Sequence, residues 1–105
     1  MYQELLREAA ELNIKVVEKH FKSKAKGLCK GNIIGISADI KDEREKTEVL
    51  AEEIAHALFT TGDILDMNVI ENRQQEAAAR MIARERLKGT PFKVLLRGLK
   101  ERRGA

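Results

Sequence analysis

The chain has 105 residues, a net charge of +3, 43% hydrophobic and 35% charged side chains, the profile of one globular domain with a modest core. Aromatic residues are only 4% and Trp is absent, so aliphatic side chains must fill that core. No apolar run approaches the ~18 residues of a membrane span, the acidic amphipathic start MYQELLREAA is no signal peptide, and the lone Cys29 excludes an internal disulfide and fits a reducing cytoplasm.

In chain order, Leu5, Leu6, Ala9 and Leu12 recur at helical spacing, which predicts a helix from Tyr2 to about Leu12. Ile14, Val16 and Glu18 then alternate with Lys15 and Val17, a short strand. Lys22-Ser23-Lys24 reads as a polar turn, Ala25 to Lys30 as a second strand and Gly31-Asn32 as a tight hairpin turn. The β-branched run from Asn32 to Ser37 predicts a third strand, buried on both faces. These strands form a small three-stranded antiparallel sheet over residues 14–37.

Helices follow. Asp42 with Glu45 three residues on is an N-cap pair, and the chain from there to Thr60 holds strong helix formers with an apolar stripe of Leu50, Ile54, Ala57 and Leu58. Gly62 ends that helix. Asn68 with Glu71 repeats the cap signal, and residues 69–88 read as a long helix stopped by Gly89. Thr90-Pro91 opens a short basic helix with Pro at its first position. The order α-β-β-β-α-α-α is that of an α+β domain.

Charge is segregated along the chain. Residues 41–83 carry five Lys/Arg against ten Asp/Glu, and residues 84–105 carry eight Lys/Arg against Glu85 and Glu101. An acidic middle suits a cation site. The basic end is read first as a solvated helix face, with nucleic acid or an acidic protein as the other partners it could meet.

The acidic middle contains Glu52-Glu53-Ile54-Ala55-His56, the zinc-peptidase helix motif H-E-x-x-H with glutamate for its first histidine. Positions 52 and 56 project from one face of a helix, where a carboxylate and an imidazole can grip one divalent cation. Glu53 stands where a metallohydrolase keeps its general base. A third ligand must come from elsewhere. Glu76, set among small residues in Glu76-Ala77-Ala78-Ala79, is the candidate on the following helix. Asp63 and Asp66 compete with it but look like turn residues. His20 reads as a surface or strand histidine and Cys29 as a small buried hydrophobe.

The stretch from Lys46 to Arg84, KTEVLAEEIAHALFTTGDILDMNVIENRQQEAAARMIAR, resembles the ImmA/IrrE family of metallopeptidases. Phage and mobile-element members commonly read L-A-E-E-L-G-H, then T-x-G-D, then N-R-x-Q-E-x-x-A-x-x-x-A. This chain has Leu50 to His56, Thr60-Thr61-Gly62-Asp63, and Asn72-Arg73-Gln74-Gln75-Glu76 with Ala79 and Ala83 at the matching offsets. Phe21 to Leu28 also resembles the strand region of those members, so the likeness covers about residues 2–88.

The resemblance implies zinc as cofactor, with Glu52, His56 and Glu76 as ligands and Glu53 as general base. It implies cleavage of a peptide bond in a protein substrate, typically a helix-turn-helix, DNA-binding repressor. Ala55 replaces the family's usual glycine and Ala57 its bulky polar or aromatic residue, and the chain is short at its C-terminal end. Two other readings stand beside this one. The first is a catalytically weak or inactive relative that binds a repressor as a scaffold. The second is a small nucleic-acid-binding protein using Lys93, Arg97, Lys100, Arg102 and Arg103, ranked last because it lacks an aromatic stacking platform.

Overall fold

The computed structural model describes residues 1–60 and 72–104, with side chains described for 1–58 and 76–98. The order is α1 (Tyr2–Glu11), β1 (Lys15–Lys19), β2 (Gly27–Lys30), β3 (Ile33–Ser37), α2 (Glu43–Thr60), α3 (Asn72–Leu87) and α4 (Phe92–Gly104). This is the α+β arrangement expected from the sequence. The expected features at Gly62, Asp63, Asp66, Asn68 and Glu71 lie outside the described residues.

The sheet corrects one expectation. It is mixed, not antiparallel throughout, with strand order β1-β3-β2. The Gly31-Asn32 hairpin makes β2 and β3 antiparallel, pairing Lys30 with Ile33. β3 then inserts beside β1 and runs parallel to it, pairing Val16 with Ile34 and Glu18 with Ile36. The physical reason is burial. Ile34 and Ile36 are fully buried, and the most apolar strand gains most from the centre of the sheet. Burial of β3 on both faces is also corrected, because Ile33 is half exposed.

One face of the sheet lies on α2, which is itself covered by α1 and α3. Leu50, Ala51, Ile54, Ala55, Ala57 and Leu58 are all buried, so α2 is the central helix of the core. Ala55 and Ala57 are therefore packing positions. Asp42 caps α2 by accepting the Arg44 N–H at 3.3 Å. Glu45 does not complete a capping box; it accepts from Lys26 Nζ at 3.1 Å.

α1 and α3 end alike. After α1, Asn13 sits at φ 62°, with Ile14 N–H bonding Ala9 O at 2.8 Å and Asn13 N–H bonding Ala10 O at 3.1 Å. After α3, Gly89 has φ 125°, and the Thr90 and Gly89 N–H groups return to Glu85 O and Arg86 O. Both endings satisfy carbonyls left unpaired by the last turn. Pro91 falls one residue before α4, where its carbonyl accepts from Leu95; the first helical position belongs to Phe92.

Candidate active site

The motif turn of α2 faces two ways. Glu52 is exposed, while Glu53 and His56 are half-buried. Glu53 is aimed at the sheet, against the first residue of β2. A Cβ on Gly27 would stand 2.8 Å from both Glu53 Oε2 and Val49 Cγ1, so glycine lets the strand come this close without displacing either side chain. Burial, and then the neighbouring Glu52 carboxylate, push the Glu53 carboxyl from its ordinary 4.5 up to about 7. A carboxyl that titrates near neutrality beside an edge strand suits proton transfer.

Glu52 lies on the other side, in a groove between α2 and α3 shared with Glu48, Arg80, Arg84 and Lys88. Glu76 is exposed near the start of α3 and stands 4.0 Å from Arg80, one helical turn on. Both side chains of that pair are about 65% exposed, so the pairing is weak. The donor chemistry of Glu52, His56 and Glu76, one imidazole and two carboxylates, fits zinc. Among the described residues, no three His, Cys, Asp or Glu side chains stand close enough to share an ion. The structure thus brings Glu52 and Glu53 together on one helical turn and leaves Glu76 beside Arg80.

His20 is exposed and bonds Asp39 at 2.8 Å, as expected of a surface histidine. Cys29 is half-buried, with its thiol 3.6 Å from Gly31 O. Of the basic C-terminal residues, Lys93 stands 3.9 Å from Glu11 and Arg97 is exposed. The side chains of Lys100, Arg102 and Arg103 lie outside the described residues.

Sequence reasoning missed two supports of the fold. Lys46, on α2 upstream of the motif, pairs with Glu18 of β1 and lies 4.7 Å over the Tyr2 ring; Tyr2 Oη donates to Glu18 at 2.9 Å. Lys46 and then Tyr2 hold the Glu18 carboxyl below its ordinary value, and burial and Glu18 raise the Tyr2 phenol. The other support is Glu8 of α1. It accepts from Arg86 Nε and from the Phe92 N–H, each at 2.6 Å, tying α1 to α3 and to the start of α4. Glu18 offered a signal, a charge at an inward position of a strand. Glu8 offered none, since its partners are distant in sequence.

An α+β domain whose buried central helix carries E-E-x-x-H against the edge of a small sheet has the plan of a metallopeptidase-type domain. The family model for the IrrE N-terminal-like domain, peptidase M78, matches residues 9–95, and the chain belongs to that family. No curated protein and no solved structure gives a significant match. Among the described residues, no helix is long and apolar enough to cross a membrane.

Proposed function

We propose that this domain is a zinc-dependent, cytoplasmic metallopeptidase that hydrolyses a peptide bond in a protein substrate, a helix-turn-helix repressor encoded by a phage or mobile element. The observation that carries this reading is the placement of Glu53. Its carboxyl is half-buried, sits on the motif turn between Glu52 and His56, and titrates near 7. A group so poised can take a proton from water and return it to the leaving amine.

Glu52, His56 and Glu76 would hold the zinc, which when bound lowers the pKa of a water and polarises the scissile carbonyl. The rest of the chemistry belongs to the protein. β2 is an edge strand, and an extended substrate can pair with such an edge through its main chain. Gly27, at the start of β2, keeps that edge close to Glu53, so a peptide aligned there would pass the proton-transferring carboxyl.

The test uses the purified protein with, as substrate, any helix-turn-helix repressor encoded near its gene. Glu53→Gln preserves shape but cannot accept the proton, so it should keep fold and metal and lose cleavage. His56→Ala removes the only imidazole of the ligand set and should abolish metal uptake. Cleavage at the wild-type rate by Glu53→Gln would defeat the proposal. A second reading, a scaffold that binds a repressor without cutting it, is favoured by the separation of the candidate ligands, since among the described residues no three His, Cys, Asp or Glu side chains stand close enough to share an ion. It predicts repressor binding that is indifferent to Glu53→Gln and to chelators.

A further inference from the structure

The face of the sheet turned away from α2 is not the polar face that a sheet exposed to water on one side normally presents. The register sets Val17, Gly35 and Leu28 in one row across the three strands, and Lys15, Ile33 and Lys30 in the next. Val17 is 37%, Leu28 54% and Ile33 50% exposed. Phe21 lies over the middle of this face: a Cβ on Gly35 would meet its ring at 3.3 Å. A glycine in the central strand weakens a sheet, and here it makes room for the ring. The result is a shallow apolar groove lined by Val17, Phe21, Leu28 and Ile33, with Lys19 and Lys30 at its margin.

The charge on this face has one sign. Lys15, Lys19 and Lys30 are all exposed, and the register brings all three to the same side as Val17 and Leu28. Glu18, the one carboxylate in the three strands, belongs to the opposite side, where Tyr2 and Lys46 hold it. An apolar centre with a lysine rim selects its occupant. A second copy meeting this face with its own would set lysines against lysines. A single-stranded nucleic acid gains from bases stacked on several aromatic rings, and among the described lining residues Phe21 is the one ring; a duplex binds through its phosphates and leaves an apolar centre unfilled.

We propose that this face is a docking surface for an acidic amphipathic helix of a partner protein, with aliphatic side chains on one stripe and carboxylates on both flanks. The dimensions agree. Three strands span about 10 Å from first to last, and five strand residues about 17 Å. A helix is about 10 Å across and covers ~17 Å in about 11 residues. The contact is small, below the ~1,200 Å² of stable complexes, so the association is weak and transient. The docked helix would sit on the opposite side of β2 from Glu53, leaving that carboxyl uncovered. The proposal does not rest on the peptidase reading.

The test is a titration of the isotope-labelled full chain, followed by amide resonances. The probe is a helical peptide with leucines at i, i+3, i+4 and i+7 and glutamates on both flanks. Controls are the same peptide with lysines for the glutamates, a single-stranded oligonucleotide and vesicles containing phosphatidylserine. The acidic peptide should shift Val17, Leu28, Ile33 and Gly35 and leave α3 and α4 unmoved. Leu28→Glu and Ile33→Glu replace half-exposed side chains, so the fold should persist, and each should weaken binding at least tenfold. Lys19→Glu with Lys30→Glu should weaken it and flatten its salt dependence. The proposal is overturned if the acidic peptide moves none of these resonances at millimolar concentration. It is equally overturned if the lysine peptide, the oligonucleotide, the vesicles or a second copy of the chain occupies the face in preference.

Discussion

The Glu53 carboxylate occupies the space where a side chain on Gly27 would stand, with Glu53 Oε2 and Val49 Cγ1 both 2.8 Å from the position of a Cβ there. The Glu53 end can swing away, but Val49 is β-branched and stiff. Gly27→Ala should therefore cost about 1–3 kcal/mol, the usual range for overpacking, and push the carboxylate towards water. A denaturant titration reads the first effect. The second is a Glu53 titration midpoint lower than in the wild type, seen by carboxyl NMR. A variant of wild-type stability and unchanged midpoint would show that β2 has slack at this point.

Glu53 also gives the fold a pH dependence of definite sign. Its folded pKa, about 7, lies above its ordinary 4.5, so the native state holds the proton more tightly than the unfolded chain. That contribution is complete below about pH 4.5, is lost as pH rises to about 7, and is absent above. For a half-buried group, discounted for solvent screening, it amounts to about 1–2 kcal/mol. Glu53→Gln should remove this slope, so the wild type minus variant difference in unfolding free energy should fall between pH 4.5 and 7. A flat difference would mean that the carboxyl is solvated in the folded state.

The helices and the motif were legible in the sequence because each rests on local chemistry. The Asp42 cap, the stripe through Leu50 and Ile54 and the stop at Gly89 act over one or two turns. The sheet was legible only in part. The Gly31-Asn32 turn specifies the β2–β3 hairpin, but nothing local to Val16 or Ile34 says that β1 and β3 are parallel neighbours. That follows from which strand gains most by being central, a property of the whole sheet. The site divides in the same way. Helical spacing brought out Glu52, Glu53 and His56, whereas the approach of Gly27 to Glu53 depends on how the sheet lies on α2. Glu76 is suggested by its small neighbours, and the structure places it exposed near the start of α3, 4.0 Å from Arg80.

Glu8 and Arg86 make the best-buried ion pair described, with side chains 12% and 9% exposed. Breaking one partner of such a pair leaves the other charge buried and typically costs 3–5 kcal/mol. Glu8→Ala should show a loss of that size in urea unfolding, and it also strips the Phe92 N–H of its acceptor. Arg86→Met combined with Glu8→Gln should recover much of the loss, because no charge then stays buried and the amide oxygen can still accept from Phe92. A double variant no better than the single would place the cost in the lost connection between helices, not in a guanidinium left with only the exposed Glu4, 4.0 Å away.

Glu52→His tests the departure in the motif itself. It would produce His-Glu-Ile-Ala-His on α2 and replace a carboxylate by a neutral imidazole that zinc also accepts. Two consequences follow at Glu53. The repulsion from Glu52 disappears, so the Glu53 pKa should fall. Burial is the larger cause of the shift, so most of the elevation should remain. At the proposed ligand set, one negative charge would be lost, which would favour ionisation of a water on a bound zinc at lower pH. If the site is otherwise competent, the variant should retain zinc and cleave a cognate repressor faster than wild type near neutral pH, with its rising limb displaced to lower pH. Metal analysis and a pH–rate profile measure both. Zinc retained without cleavage would move the fault from the first ligand to the position of Glu76 beside Arg80, and the scaffold reading would then replace the peptidase one.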